Sequence, residues 1–184
     1  MAAELGLDYT HVPLTWDDPK LKEPEFLALN PAGTIPTIVD DGFALADSLA
    51  INLYLAKKYG SSGPNALYPT VPEGEAEVWR WTLWAQGHLE PWVQRDALLA
   101  DLREAIASQA AKVVTKALST LDIVLGKRPW LVGGRFSVAD INVACVLSPS
   151  RATAIDMHAF PNVVAWHRRC YERPAAAMVR RRFA

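Results

Sequence analysis

Asp47 and Ser48 stand together where an irregular stretch gives way to the helix-forming run Leu49-Ala50-Ile51. A helix opening there leaves its first N–H groups unpaired and turns the positive end of its dipole outward, which favours an anion. The Ser48 hydroxyl and amide suit a carboxylate, and the Asp47 carboxylate suits a cation beside it. The same pair serves as an ordinary N-cap, and the two uses are compatible. Upstream, Asn30-Pro31-Ala32-Gly33-Thr34-Ile35-Pro36-Thr37-Ile38 carries a proline at a strand entrance. Pro36 has no N–H for a ladder, and its tertiary amide cuts the preference for trans to about 0.5–1 kcal/mol. Alone, such a proline marks an edge or a turn.

Trp81, Trp84, His88 and Trp92 recur at spacings of three and four, so they share one face of a helix. Large aromatics in that pattern line an apolar pocket or fill a core and a subunit contact; His88 reads most simply as a structural histidine. Lys20 and Lys22 follow the first strand-like run as surface cations. Cys170, between Arg169 and Arg173, stands where cations lower a thiol pKa, yet a free cysteine beside a helix is ordinarily packed. Cys145 and Cys170 form neither a C-x-x-C pair nor a Cys/His cluster, so neither a disulfide framework nor a metal site is expected.

The elements that position these residues fall into two units. Gly60, Gly63, Pro64, Pro69, Pro72 and Gly74 interrupt every periodicity and mark a boundary. Residues 1–60 read as a small α/β unit, 61–72 as a linker and 73–184 as an all-α unit. In the first, Ala2 to Gly6 looks like the tail of a helix and Tyr9 to Leu14 reads as a strand. Pro24 to Leu29 reads as a short helix, and Ile35–Val39 with Phe43–Leu45 as a hairpin turned by Asp40-Asp41-Gly42. The helix from Ser48 to Tyr59 has Lys57 and Lys58 in its last turn and Gly60 beyond. In the second unit, one helix runs from Glu73 to about Leu99 with a kink expected at Pro91. Another opens at Asp101-Leu102-Arg103-Glu104 and carries Leu102, Ile106, Val113, Ala117, Leu121 and Val124 as a stripe. Ser137 and Asp140 are spaced as a capping box, and the last two helices begin near Pro161 and Pro174.

The run from Asn30 to Ile38, the hairpin, and the acidic-Ser pair opening a helix resemble, in order and spacing, the cytosolic glutathione S-transferase family of bacterial type. Phe136-Ser137-Val138-Ala139-Asp140 resembles the capping box of that family's helical domain. The resemblance implies a thioredoxin-like unit followed by an all-helical domain, an α+β / all-α architecture. It implies glutathione as co-substrate, with a cis Pro36 turning the N–H and C=O of Ile35 toward the peptide in β-like fashion. Ser48 would take the γ-glutamyl carboxylate and Asp47 the ammonium. It further implies conjugation of the thiolate to small hydrophobic electrophiles, a pocket for them on the helical domain for which Trp84, His88 and Trp92 are candidates, and a homodimer. The family activates the thiol with a Ser, Tyr or Cys between its first strand and first helix. Against that pattern the chain reads as lacking the first strand and most of the first helix, so no residue is given the catalytic role, and Tyr9 reads as a strand residue. A sheet without that strand is expected to expose edges and to invite pairing with another chain.

Composition limits the alternatives. The net charge is −1, so no global field draws nucleic acid or an anionic bilayer, and the arginines from Arg168 to Arg182 read as a solvated tail. No basic n-region or apolar h-region opens the chain, and no run reaches the roughly 18 apolar residues of a membrane span. A cytoplasmic protein is expected, with no nucleic-acid or membrane partner. A non-catalytic binding or assembly module of the same architecture stands as the alternative to an enzyme.

Overall fold

The computed structural model describes residues 1–63, 66–90, 103–148 and 156–183. Its elements in order are α1 (Ala2–Leu5), α2 (Pro24–Leu29), β1 (Thr37–Asp40), β2 (Phe43–Ala46) and α3 (Ser48–Tyr59), then α4 (Pro72–Trp84), α5 (Arg103–Leu125), α6 (Val138–Val146), α7 (Pro161–Tyr171) and α8 (Pro174–Phe183).

The hairpin forms because its turn chemistry is local. Asp41 at φ 51° and Gly42 at φ 80° take the two left-handed positions of a tight turn, and the strands pair antiparallel with Thr37 opposite Ala46 and Asp40 opposite Phe43. The expected strand from Tyr9 to Leu14 is absent. A strand exists only where a neighbour completes its ladder, and among the described residues the sheet pairs β1 with β2 alone. The stretch from Tyr9 to Leu14 runs as irregular chain with Tyr9 and Val12 exposed.

The core lies in the helical unit. Val78, Trp81, Leu118, Leu121, Val138, Val143, Val163 and Trp166 form its fully buried centre. The stripe expected along α5 points into it: Ala117 and Leu121 are buried, and Val124 packs against the cluster. The Ser137–Asp140 capping box forms with both of its bonds present, and Pro161 and Pro174 open α7 and α8. The long Trp-rich helix is shorter as α-helix than expected. It gives way after Trp84 to a π-helical turn at Ala85–Leu89. The kink at Pro91, the helix end near Leu99 and the start at Asp101-Leu102 lie outside the described residues, as does the side chain of Ile106.

Several side-chain bonds tie the first unit to the second, and Lys57 of α3 donating to Glu75 of α4 is an exposed one. Arg173 donates Nε and Nη2 to the two carboxylate oxygens of Glu4 at 2.9 and 2.7 Å, with its guanidinium 3.8 Å from the centre of the Phe136 ring. Asn52 of α3 donates to Asn142 of α6 at 2.8 Å.

Candidate functional site

The hairpin register brings the two chemical motifs together. Because Thr37 faces Ala46, Ile35–Pro36 just before β1 and Asp47–Ser48 just after β2 lie at the same open end of the ladder. The Ile35–Pro36 bond is cis. Ile35 is 37% exposed, and among the described residues its amide and carbonyl enter no intramolecular hydrogen bond.

The loop that delivers Ile35 is pinned by Asn30, which is buried. Its Nδ2 donates to the Thr34 carbonyl at 2.9 Å and reaches the hydroxyls of Thr34 and Thr37 at 3.1 Å, while its Oδ1 accepts from the Ala32 amide at 3.1 Å. The Gly33 amide donates to the Asn30 carbonyl at 2.9 Å. Gly33 sits at φ +62°, and a Cβ there would stand 2.9 Å from the Leu21 carbonyl oxygen. Conformation and space both require glycine.

Asp47 is held at φ 68°, ψ 115°, a region that residues with a side chain rarely adopt. The bend turns the chain out of β2 directly into α3. Asp47 makes no side-chain cap bond; its carboxylate is exposed, its carbonyl accepts from the Ile51 amide at 2.8 Å, and the Ser48 hydroxyl stands exposed beside it. The pair therefore caps α3 only through the backbone, and the first turn keeps its anion-binding character.

Asp47 before α3 and Ser48 and Leu53 from it, with Trp79, Thr82, Leu83, Gln86 and Glu90 from the Trp-rich helix, line a cavity of about 310 Å³. Its wall combines the free N-terminus of a helix, two carboxylates and an apolar strip. That combination fits a zwitterionic head attached to an uncharged body. Trp79 at 51% exposure and Leu83 at 60% supply the strip.

The residues expected to form an electrophile pocket are placed differently. Trp84 is half-buried, meets Trp81 edge-on at 5.2 Å and stacks on His88 at 6.1 Å, and neither Trp84 nor His88 lines this cavity. Trp92 lies outside the described residues. The cavity uses the neighbouring face of the same helix. Trp79 and Leu83, four apart, carry the spacing that would have revealed it. Lys20 and Lys22 lie in a 3-10 turn at Pro19–Lys22 and are exposed.

Charge at the closed end of the hairpin is fully paired. Asp40 accepts from Lys58 and Tyr54 at 2.8 Å on one oxygen and from Tyr59 at 2.8 Å on the other. Lys58 and then Tyr59 hold the Asp40 carboxyl below its ordinary range, while Asp40 and then Asp41 push the Lys58 ammonium upward. Cys170 is buried, and burial drives its thiol well above the ordinary range, which outweighs the nearby arginines; Arg173 is in any case engaged by Glu4. Among the described residues no group of three or more His, Cys, Asp or Glu gathers as a metal site requires, and no helix is long and apolar enough to cross a membrane.

Comparison with known proteins places this arrangement. Residues 1–58 match the family model of the glutathione S-transferase N-terminal domain, and residues 85–174 match that of the C-terminal domain. Glutathione S-transferase 3 of Zea mays is 34% identical, over 94% of this chain and 82% of the relative. The glutathione transferase URE2P6 of Phanerochaete chrysosporium, crystallised with oxidized glutathione, superposes with a TM-score of 0.84 at 24% identity, over 98% of this chain and 87% of that one. A glutathione transferase from Burkholderia graminis, crystallised with two glutathione molecules per subunit, gives a TM-score of 0.81 at 26% identity, over 96% of this chain and 79% of that one.

Proposed function

The chain belongs to the glutathione S-transferase family, with a thioredoxin-like N-terminal unit and a helical C-terminal domain, and on that premise we propose that it binds glutathione at the open end of the hairpin and transfers its thiolate to small hydrophobic electrophiles. The observation that carries this reading is the juxtaposition of Ile35–Pro36 with Asp47–Ser48 at the uncapped start of α3, opening onto a cavity. The Ser48 hydroxyl and the first N–H groups of α3 receive the γ-glutamyl carboxylate, Asp47 receives the ammonium, and the backbone of Ile35 pairs with the peptide. The Burkholderia graminis relative with bound glutathione supports the ligand.

A thiol of pKa about 8.5 is only a few per cent ionised at neutral pH, and a fall of about two units makes thiolate the main form. The thiolate sulfur then bonds to the electrophilic carbon, and the leaving group departs with the electron pair of the broken bond. Residues 1–60 hold the peptide, 61–72 link, and 73–184 supply the electrophile side, for which Trp84, His88 and Trp92 remain the candidates the sequence offers alongside Trp79 and Leu83 of the cavity. A homodimer in the cytoplasm, engaged in detoxification, completes the reading.

The test is calorimetric titration of glutathione. Saturable heat by millimolar ligand is expected, and its absence would defeat the reading. Ser48→Ala should weaken binding about tenfold or more, the loss of one hydrogen bond to a charged group. A second reading, glutathione binding without turnover, is favoured by the position of Tyr9, which stands 52% exposed in irregular chain and outside the cavity lining. Turnover of a chloronitrobenzene substrate separates the two.

A further inference from the structure

Asn142 is wholly buried in the middle of α6, among Val138, Ala139, Val143 and Val146. Its amide is divided between two other helices. Oδ1 accepts from Nδ2 of Asn52 in α3 at 2.8 Å, and Nδ2 donates to Oγ1 of Thr82 in α4 at 3.0 Å. Asn52 stands one helical turn beyond Ser48 and shares its face. Thr82 is buried and lines the cavity onto which Asp47 and Ser48 open. Both ends of this three-residue chain therefore reach the same site, one through the helix that carries the anion-binding end and one through the wall opposite.

A buried primary amide costs stability unless its groups are met. A leucine would fill comparable space with no such demand. What the amide adds is direction, because a hydrogen bond fixes angle and distance where apolar contact fixes only volume. The lever is long enough to matter. From Asn52 to the first turn of α3 is about 6 Å at 1.5 Å per residue, so a tilt of about 10° displaces that turn by about 1 Å. Binding groups need placement to about 0.5 Å.

We propose that Asn142 is a positioning residue for the site at the start of α3: the Asn52–Asn142–Thr82 relay sets where the Ser48 hydroxyl and the leading N–H groups point, and couples filling of the cavity to the helical domain. The inference rests on the glutathione reading for the identity of the ligand. Its test is a double-mutant cycle with Asn52→Ala, Asn142→Leu and the pair, each titrated calorimetrically with glutathione and each denatured in urea. Each single variant should lose about tenfold in affinity, and the double variant should lose no more than either single one. Asn142→Leu, which leaves the buried Thr82 hydroxyl without its donor, should lower the urea midpoint more than Asn52→Ala does while losing affinity to the same extent, a split that a purely structural role would not give. Losses that multiply in the double variant, or single variants of unchanged affinity, would overturn the proposal. Amide hydrogen exchange from Ile51 to Leu55 is read without ligand. It should quicken in Asn52→Ala, which stands at the half-buried end of the relay and is the safer fold. If the parent protein gives no heat with glutathione, the ligand reading fails, and unchanged exchange would overturn the relay independently.

Discussion

Trp166 donates its indole N–H to Asp140 across 2.9 Å, so the middle of α7 is fastened to the cap of α6 inside the core. Asp140 also accepts from the amides of Leu131 at 3.0 Å and Ser137 at 2.9 Å and from the Ser137 hydroxyl at 3.1 Å. Burial lifts its carboxyl above the ordinary range, against the pull of these donors. Asp140→Ala would strand the donors without solvent and should lower stability in urea by about 3–5 kcal/mol. Trp166→Phe, which strands only one carboxylate lone pair, should cost about 2 kcal/mol. The opposite ranking would show that ring packing, not the network, dominates.

Acid stability should depend on Asp40. Hydrogen bonds from Lys58 and then Tyr59 hold its folded carboxyl below the value of the unfolded chain. The folded state therefore gives up the proton more readily. Its contribution is present above the unfolded value of about 4 and is lost as pH falls through the folded value. Urea midpoints measured between about pH 5 and pH 2 should fall less steeply in Asp40→Asn than in the parent; parallel curves would count against this role.

Gly33→Ala combines a left-handed backbone with a 2.9 Å approach to the Leu21 carbonyl. A loss of about 2 kcal/mol or more is expected, together with weaker glutathione binding, because the loop carries Ile35. A variant as stable as the parent would mean that the loop rearranges freely.

Cys170 should be inert. Burial raises its thiol pKa and shields the sulfur. In native protein at about pH 8, Cys170→Ser should leave the number of fast-reacting thiols unchanged, whereas in urea it should remove one. Loss of a fast thiol on that substitution would contradict the burial argument.

What could be read from the sequence was what local chemistry decides. Asp41-Gly42 fixed the hairpin because left-handed positions are set within the turn itself, and Ser137-x-x-Asp140 fixed the start of α6 because a capping box closes within one turn. The juxtaposition of the proposed site motifs was legible for the same reason: Ile35–Pro36 and Asp47–Ser48 are joined by the hairpin whose register unites them. Tyr9 to Leu14 misled because apolar, β-prone residues state a preference and a ladder needs a neighbour. The cavity face was missed because periodicity shows that Trp81, Trp84 and His88 share a face without showing what the face meets; Trp81 went to the core, and Trp79 with Leu83 went to the cavity. The π-helical turn at Ala85–Leu89 and the pairing of Asn52 with Asn142 left no local mark.

The network around Asn30 has a thermodynamic corollary. Asn30 closes its own loop through Ala32, Thr34 and Thr37, so the backbone that presents Ile35 is ordered before any ligand arrives. If the proposed glutathione reading holds, the rotational freedom surrendered on association falls on the tripeptide's own bonds, and its binding enthalpy is not spent on assembling the receptor.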